Sequence, residues 1–152
     1  MAEIVEELTV ERPVSVVWLV LADFGAISRW APNVDHSCLT TQATAGVGVV
    51  RRIQTGRNTV LETVTEWEPE HRLAYKITGL PPVIRSVTNT WRLDDLVTTT
   101  AVTLTSTIDA GPRPPQQVVA RVAGRALAKA SREMLTGLDR HMRDQPLRGE
   151  MP

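Results

Sequence analysis

Arg51 and Glu62 are the residues of this sequence best placed to do chemistry. Segments 47–54 and 59–67 read as two strands closed by a two-residue Gly56-Arg57 loop inside Thr55-Gly56-Arg57-Asn58. Antiparallel pairing then sets 53 against 60, 51 against 62 and 49 against 64. One face of this hairpin carries Ile53–Val60, Arg51–Glu62 and Val49–Val64, whereas the other carries Arg52, Gln54, Thr59, Leu61 and Thr63. The first face is the more apolar and is expected to meet the core. A charge taken out of water is costly unless paired and hydrogen-bonded, so Arg51 and Glu62 are each other's expected partners. Two readings follow. The pair either fixes strand register and binds nothing, or it forms the polar floor of a pocket. In the second case Glu62 exchanges a proton as general acid or base, and the planar fork of Arg51 holds an enolate, carboxylate or sulfenate-like oxygen.

Other side chains fall on the same face. The turn Glu68-Pro69-Glu70-His71 pairs 64 with 75 and 62 with 77, which turns Leu73, Tyr75 and Ile77 inward and sets Tyr75 diagonal to Glu62. The Tyr75 hydroxyl can reach a ligand or the carboxylate, or its ring simply packs. Asn89 shares a face with Val87, Trp91 and Leu93, as a ligand contact or as a core amide satisfying backbone. Val49, Val64 and Trp91 supply apolar wall. Trp18 and Trp30 fit core or lid packing, with Trp30 the nearer to an entrance. His36, His71 and His141 lack metal-ligand spacing, so no metal is expected. Cys38, the only cysteine, has no basic activator beside it and reads as an inert core thiol. Gly46-Val47-Gly48 lacks the third glycine and following helix of a phosphate loop. No organic cofactor is expected.

The elements that must position these groups follow in order. Residues 3–10 alternate as a first strand, with Glu6 interrupting its apolar side. Pro13 opens a helix through Val17, Trp18 and Leu21, and Asp23 is placed to cap a second short helix ending near Trp30-Ala31-Pro32. Six further strands are expected at 34–41, 47–54, 59–67, 72–79, 84–94 and 97–108. Turn signals at Ala45-Gly46, Gly56-Arg57, Pro69-Glu70, Pro81-Pro82 and Asp94-Asp95 separate them, which implies an antiparallel meander. After Gly111-Pro112-Arg113-Pro114-Pro115, residues 116–143 have helical periodicity, with Val119, Val122, Ala123, Ala126, Ala130, Met134 and Leu138 assigned to one stripe. The small residues Ala123, Ala126 and Ala130 would leave room between helix and sheet.

The 152 residues suit one domain, expected over 1–143 with a flexible tail at 144–152. Seventeen basic and seventeen acidic residues cancel, so no global field draws the chain to nucleic acid or an anionic membrane, although a local basic patch is compatible with the sequence. Only Lys76 and Lys129 are lysine, an imbalance without functional weight. The lone cysteine favours a reducing compartment, and no signal pattern or membrane-spanning apolar run is present, so the protein is expected to be cytoplasmic without stable membrane insertion.

The segment from Val17 through Trp18, Asp23, Phe24, Gly25 and Trp30 to Pro32 resembles the helical signature of the polyketide cyclase/dehydrase family, in the START-like, helix-grip (birch-pollen-allergen-like, SRPBCC) superfamily. The likeness continues through Ser37-Cys38, Gly46 to Arg51, Glu62 and Leu73 to Ile77. It implies an α+β fold in which a seven-stranded antiparallel sheet wraps a long C-terminal helix, two short helices follow strand one, and a cavity lies between helix and sheet. Trp30, Val49, Val64, Tyr75, Asn89, Trp91, Ala123, Ala126 and Ala130 are the candidate ligand contacts. Similar plant lachrymatory-factor synthases use an arginine and a glutamate for acid/base work, with Arg51 and Glu62 as counterparts here. The expected partner is a small hydrophobic or amphipathic molecule such as a polyketide or lipid. Either it is turned over by a cofactor-independent cyclase, aromatase or dehydratase, or it is held by a non-catalytic carrier or sensor. A partner-binding regulatory protein is a third class, which this sequence supports little.

Overall fold

The computed structural model describes residues 2–80, 84–110 and 114–144. The Pro81-Pro82 turn, most of Gly111 to Pro115 and the tail beyond Asp144 therefore lie outside the described residues. Strand β1 (Ala2–Val10) leads into helix α1 (Val14–Ala22) and a short 3₁₀ helix, Phe24–Arg29. Strands β2 (His36–Leu39), β3 (Val50–Thr55), β4 (Asn58–Glu68), β5 (Arg72–Thr78), β6 (Ser86–Asp95) and β7 (Thr100–Asp109) follow, then helix α2 (Pro114–Asp144). The seven strands form one antiparallel sheet in the order β1-β7-β6-β5-β4-β3-β2. Consecutive strands from β2 to β7 are neighbours, and α1 with the 3₁₀ helix carries the chain from one sheet edge to the other. This is the helix-grip arrangement the sequence led us to expect.

Pairing on the central hairpin follows turn chemistry. Thr55 opposes Asn58 across Gly56-Arg57, and the ladder sets Ile53 against Val60 and Arg51 against Glu62. Gly56 takes the left-handed conformation that such a loop demands, at φ 58. The Asp35 carboxylate accepts from its N–H, and the Thr55 hydroxyl donates to the Asn33 carbonyl. At the far end Gly48 and Val49 together oppose Val64. Val64 N–H donates to the Val49 carbonyl, Gly48 N–H donates to the Val64 carbonyl, and Gly48 sits at φ 92.

On β4 the register with β5 shifts between Val64 and Glu66. Val64 opposes Tyr75, but Glu66 opposes Ala74 and Trp67 opposes Leu73. The extra residue turns Trp67 to the inner face, where its ring meets Trp18 of α1 edge-on at 5.2 Å. An unbroken ladder would have turned Glu66 inward instead.

The inner sheet face, α1 and the C-terminal half of α2 share one core, in which Val17, Phe24, Leu73, Trp91, Leu104, Ile108, Leu138 and Met142 are buried. α2 lies over the β1–β7 side of the sheet. Gly124 is the point of approach there, since a Cβ at that position would meet Ile4 Cδ1 at 3.3 Å. Gly137 is a tighter crossing, where a Cβ would run into the Trp30 carbonyl oxygen and Pro32 Cδ. Glu6, the interruption on β1, accepts from Arg132 of α2 at 3.0 Å, which explains a carboxylate on that face.

Several boundaries differ from expectation. The first helix begins at Val14 with Pro13 as its cap residue, and Asp23 makes no side-chain cap bond to the 3₁₀ helix. Strand β2 is only four residues long. Strand β7 starts at Thr100 rather than 97, because Asp95 accepts from the Val97 N–H and holds Val97 at φ 76, lengthening the turn. Cys38 is exposed rather than a core thiol. It opposes Arg52 on the outer face, where strand alternation puts it once Ser37 and Leu39 turn inward.

The assigned stripe on α2 is also corrected. Val122 and Ala126 are exposed, and the sheet-facing residues are Gly124, Ser131, Met134, Leu135, Leu138 and Met142, with Ala123 and Leu127 packed at the margin. Apolar residues on both sides of the helix made the stripe ambiguous, and the core selects the side rich enough in long side chains to fill it.

Candidate functional site

Arg51 on β3 and Glu62 on β4 form a buried ion pair in which Nε donates to Oε1 at 2.7 Å. Arg51 is 2% exposed. Its Nη1 donates to the Phe24 carbonyl at 2.9 Å. The guanidinium carbon lies 3.7 Å from the centroid of the Phe24 ring and 4.6 Å from that of Tyr75. Two ring faces thus supply the quadrupole attraction that partly replaces lost hydration. Arg51 Nη2 is buried and has no hydrogen-bond acceptor among the described residues.

Phe24 comes from the 3₁₀ helix, whose position is set by β2. The Ser37 hydroxyl donates to the Gly25 carbonyl at 2.7 Å and accepts from the Ser28 N–H at 3.1 Å. Leu39 fills the space a Cβ on Gly25 would need, with Cγ 2.8 Å from that point. This close seating brings the Phe24 carbonyl to Arg51 and lays the ring over it.

Tyr75 sits between Val64 and Asn89 in the ladder. Its hydroxyl accepts from Trp91 Nε1 at 3.1 Å and from Asn89 Nδ2 at 3.4 Å. Asn89 Oδ1 accepts from the Ser106 hydroxyl at 2.6 Å, and the Ser106 and Ser131 hydroxyls are 3.5 Å apart. A polar row therefore crosses the inner sheet face from Tyr75 to α2. Burial, then the field of the Glu62 carboxylate, pushes the Tyr75 phenol upward, against smaller opposing effects of Arg51 and the Trp91 and Asn89 bonds. It stays a neutral hydroxyl at ordinary pH. With both lone pairs engaged, its proton remains to be donated, and among the described residues no acceptor takes it.

Val49, Val64 and Trp91 are buried on this inner face around the pair. Trp30 is buried with its ring edge-on to Trp91 at 5.8 Å, and among the described residues its Nε1 has no acceptor. Ala123 and Ala130 are half-buried, while Ala126 points to solvent, away from the polar row. Sequence reasoning missed three residues of this neighbourhood. Ser106 was readable, since it alternates with Val102, Leu104 and Ile108. Ser131 was obscured by the misplaced helix stripe. Phe24 reaches Arg51 only through the tertiary seating of the 3₁₀ helix, for which no local signal exists.

Two orphan donors, Arg51 Nη2 and the Tyr75 hydroxyl, thus belong to neighbouring side chains beside a carboxylate. Such an arrangement suits an oxygen carrying full or partial negative charge. On the outer side of Trp30 a separate groove of about 750 Å³ runs between the Ser28–Pro32 segment and α2, lined by Arg29, Lys129, Arg132, Thr136 and Arg140 among others.

The profile of the family described as polyketide cyclase / dehydrase and lipid transport matches residues 1–143. The chain belongs to this family. No curated protein matches it. Among solved structures, this family member is similar to the Zhui aromatase/cyclase from Streptomyces sp. R1128, at 20% identity and TM-score 0.76 over 93% of each chain. It is similar to a START superfamily protein from Mycobacterium smegmatis, at 11% identity and TM-score 0.72 over 93% of this chain and 97% of the other. Ara h 8.0201 is similar at 13% identity and TM-score 0.71, over 95% and 99%. At such identities the likeness is one of fold.

Proposed function

We propose that the protein binds a small, largely apolar molecule bearing a carbonyl or carboxylate oxygen, between α2 and the inner sheet face. The observation that carries this reading is the buried Nη2 of Arg51, a charged donor without an acceptor among the described residues. Leaving such a donor unmet is costly, and a ligand oxygen would meet it. The Tyr75 hydroxyl supplies a second donor from the adjacent strand. Family membership supports an apolar ligand, since the family description joins polyketide cyclisation or dehydration with lipid transport.

The arrangement supports cofactor-independent acid/base chemistry on that ligand, of cyclase, aromatase or dehydratase type. Glu62 would accept a proton from carbon beside the carbonyl, and Arg51 with Tyr75 would hold the resulting enolate oxygen. A non-catalytic carrier is favoured by one detail, the 2.7 Å bond that commits one carboxylate oxygen of Glu62 to Arg51. In that case Glu62 only balances the charge.

Native mass spectrometry of freshly purified protein, followed by denaturing extraction, tests the binding reading. A stoichiometric hydrophobic adduct is expected, and it should disappear in Arg51→Met. An adduct retained unchanged by Arg51→Met would refute the assignment of Nη2. Glu62→Gln separates the two versions: an enzyme loses turnover of its substrate, whereas a carrier keeps its adduct and transforms nothing.

A further inference from the structure

The solvent side of α2 has a composition that packing does not require. Between Asp109 and Glu133 the sequence contains no acidic residue, in a chain whose total charge is zero, while Arg121, Arg125, Lys129 and Arg132 lie in this stretch of α2. All four are exposed. At about 100° per residue they share a face with Val118 and Val122, turned away from Gly124, Ser131 and Leu138 on the sheet side. Val118 is 56% and Val122 64% exposed, so two β-branched apolar side chains stand among the cations in water. Arg132 is bridged to Glu6, but among the described residues Arg121, Arg125 and Lys129 have no ion-pair partner.

The face continues along the helix through Thr136 to Arg140, a span of about 33 Å. There it forms one wall of the 750 Å³ groove, with Arg29 from the 3₁₀ helix on the other side. Glu133 and Asp144 also line that groove, so it is rich in cations without being purely basic.

We propose that this face of α2 docks the protein on an anionic lipid bilayer. The helix lies in the plane of the interface, Val118 and Val122 reach the acyl boundary, and Arg121, Arg125, Lys129 and Arg140 meet headgroup phosphates. The interleaving of valine with cations decides the class of partner. A nucleic-acid backbone would meet the cations and leave both valines without a use, whereas an anionic bilayer offers charge and an apolar layer at matching depths. No helix among the described residues is long and apolar enough to cross a membrane, so docking is peripheral. The proposal is independent of whether Arg51 and Glu62 do chemistry.

Co-sedimentation of the full chain with vesicles tests it. The protein should pellet with phosphatidylcholine–phosphatidylglycerol vesicles at low salt, stay in solution with phosphatidylcholine alone, and be released by high salt. Each cation is worth about fivefold in partitioning at such a surface, so R121E/R125E should weaken binding about 25-fold or more. V118S/V122S should weaken it several-fold at constant charge. All four side chains are exposed, so circular dichroism and urea midpoints of both variants should match the parent. Failure to pellet with anionic vesicles, or equal pelleting with neutral ones, would overturn the proposal. So would unchanged binding by either variant, and V118S/V122S that binds vesicles and single-stranded RNA as the parent does would identify a general polyanion surface instead.

Discussion

Removing the charge of Glu62 should cost more stability than removing both charges of the Arg51–Glu62 pair. Glu62→Gln keeps the shape but leaves a guanidinium that is 2% exposed without a counter-charge. Breaking a buried pair from one side typically costs about 3–5 kcal/mol. Arg51 retains its bond to the Phe24 carbonyl and its contacts with two aromatic rings, which places the expected loss near about 3 kcal/mol. With an m-value of about 2 kcal/mol per molar urea, the midpoint should fall by about 1.5 M. Arg51→Met combined with Glu62→Leu removes both desolvation penalties, and the double variant should lie within about 1 kcal/mol of the parent or above it. Urea unfolding followed by tryptophan fluorescence at neutral pH completes the cycle. A loss below about 1 kcal/mol in Glu62→Gln, the size found for exposed pairs, would refute the reasoning by showing the pair to be well hydrated. A double variant as unstable as the single one would show instead that the charges are needed for packing. Adduct retention by the same proteins links the cycle to function, because the double variant should keep the fold and lose the ligand.

Tyr75 is the only tyrosine, so near-ultraviolet tyrosinate absorbance reports it alone. Its folded pKa is raised, so the stability it contributes is present in full below the unfolded value of about 10 and is lost as pH climbs through the folded one. Ionisation should therefore begin above the ordinary range and coincide with unfolding, and a native-state titration at or below about 10 would contradict the described burial. Gly137→Ala and Gly124→Ala should move stability in opposite directions. At 137 the methyl meets the backbone carbonyl of Trp30, and overpacking of about 1–3 kcal/mol outweighs a helix-propensity gain of about 1. At 124 it meets the flexible end of Ile4 at 3.3 Å and makes an ordinary contact with Ile108 Cδ1 at 3.8 Å, leaving that gain largely intact. Thermal melts of the two variants decide this, and equal melting temperatures would remove Gly137 as the fixed crossing point.

The hairpin that carries Arg51 and Glu62 was readable because the two-residue Gly56-Arg57 turn fixes the register, and in that register Arg51 and Glu62 oppose each other on the more apolar face. Tyr75 and Asn89 followed from the same alternation across successive strands. α2 was less readable. Val118, Val122 and Ala126 repeat at helical spacing on the solvent side, and the single stripe read from the sequence took Val122 and Ala126 for core while placing Met134 and Leu138 correctly. The cover over Arg51 was not readable at all, since Phe24 is carried there by a 3₁₀ helix seated on Ser37 and Leu39, far from it in sequence. Local rules describe strands and turns; they do not state which loop residue finishes above which strand.

The register shift on β4 gives that strand a spare residue. Strand side chains have parity, and losing one residue ordinarily exchanges inside for outside from that point on. Deleting Thr65 would instead restore an unbroken ladder to β5, with Glu62, Val64 and Trp67 all still directed inward. Strand β3 has no such reserve between Ile53 and Arg51, and a deletion at Arg52 would turn Arg51 outward, away from the aromatic rings that hold it. One side of the ion pair thus rests on a strand that can absorb a change of length, and the other on a strand whose length is fixed to the residue.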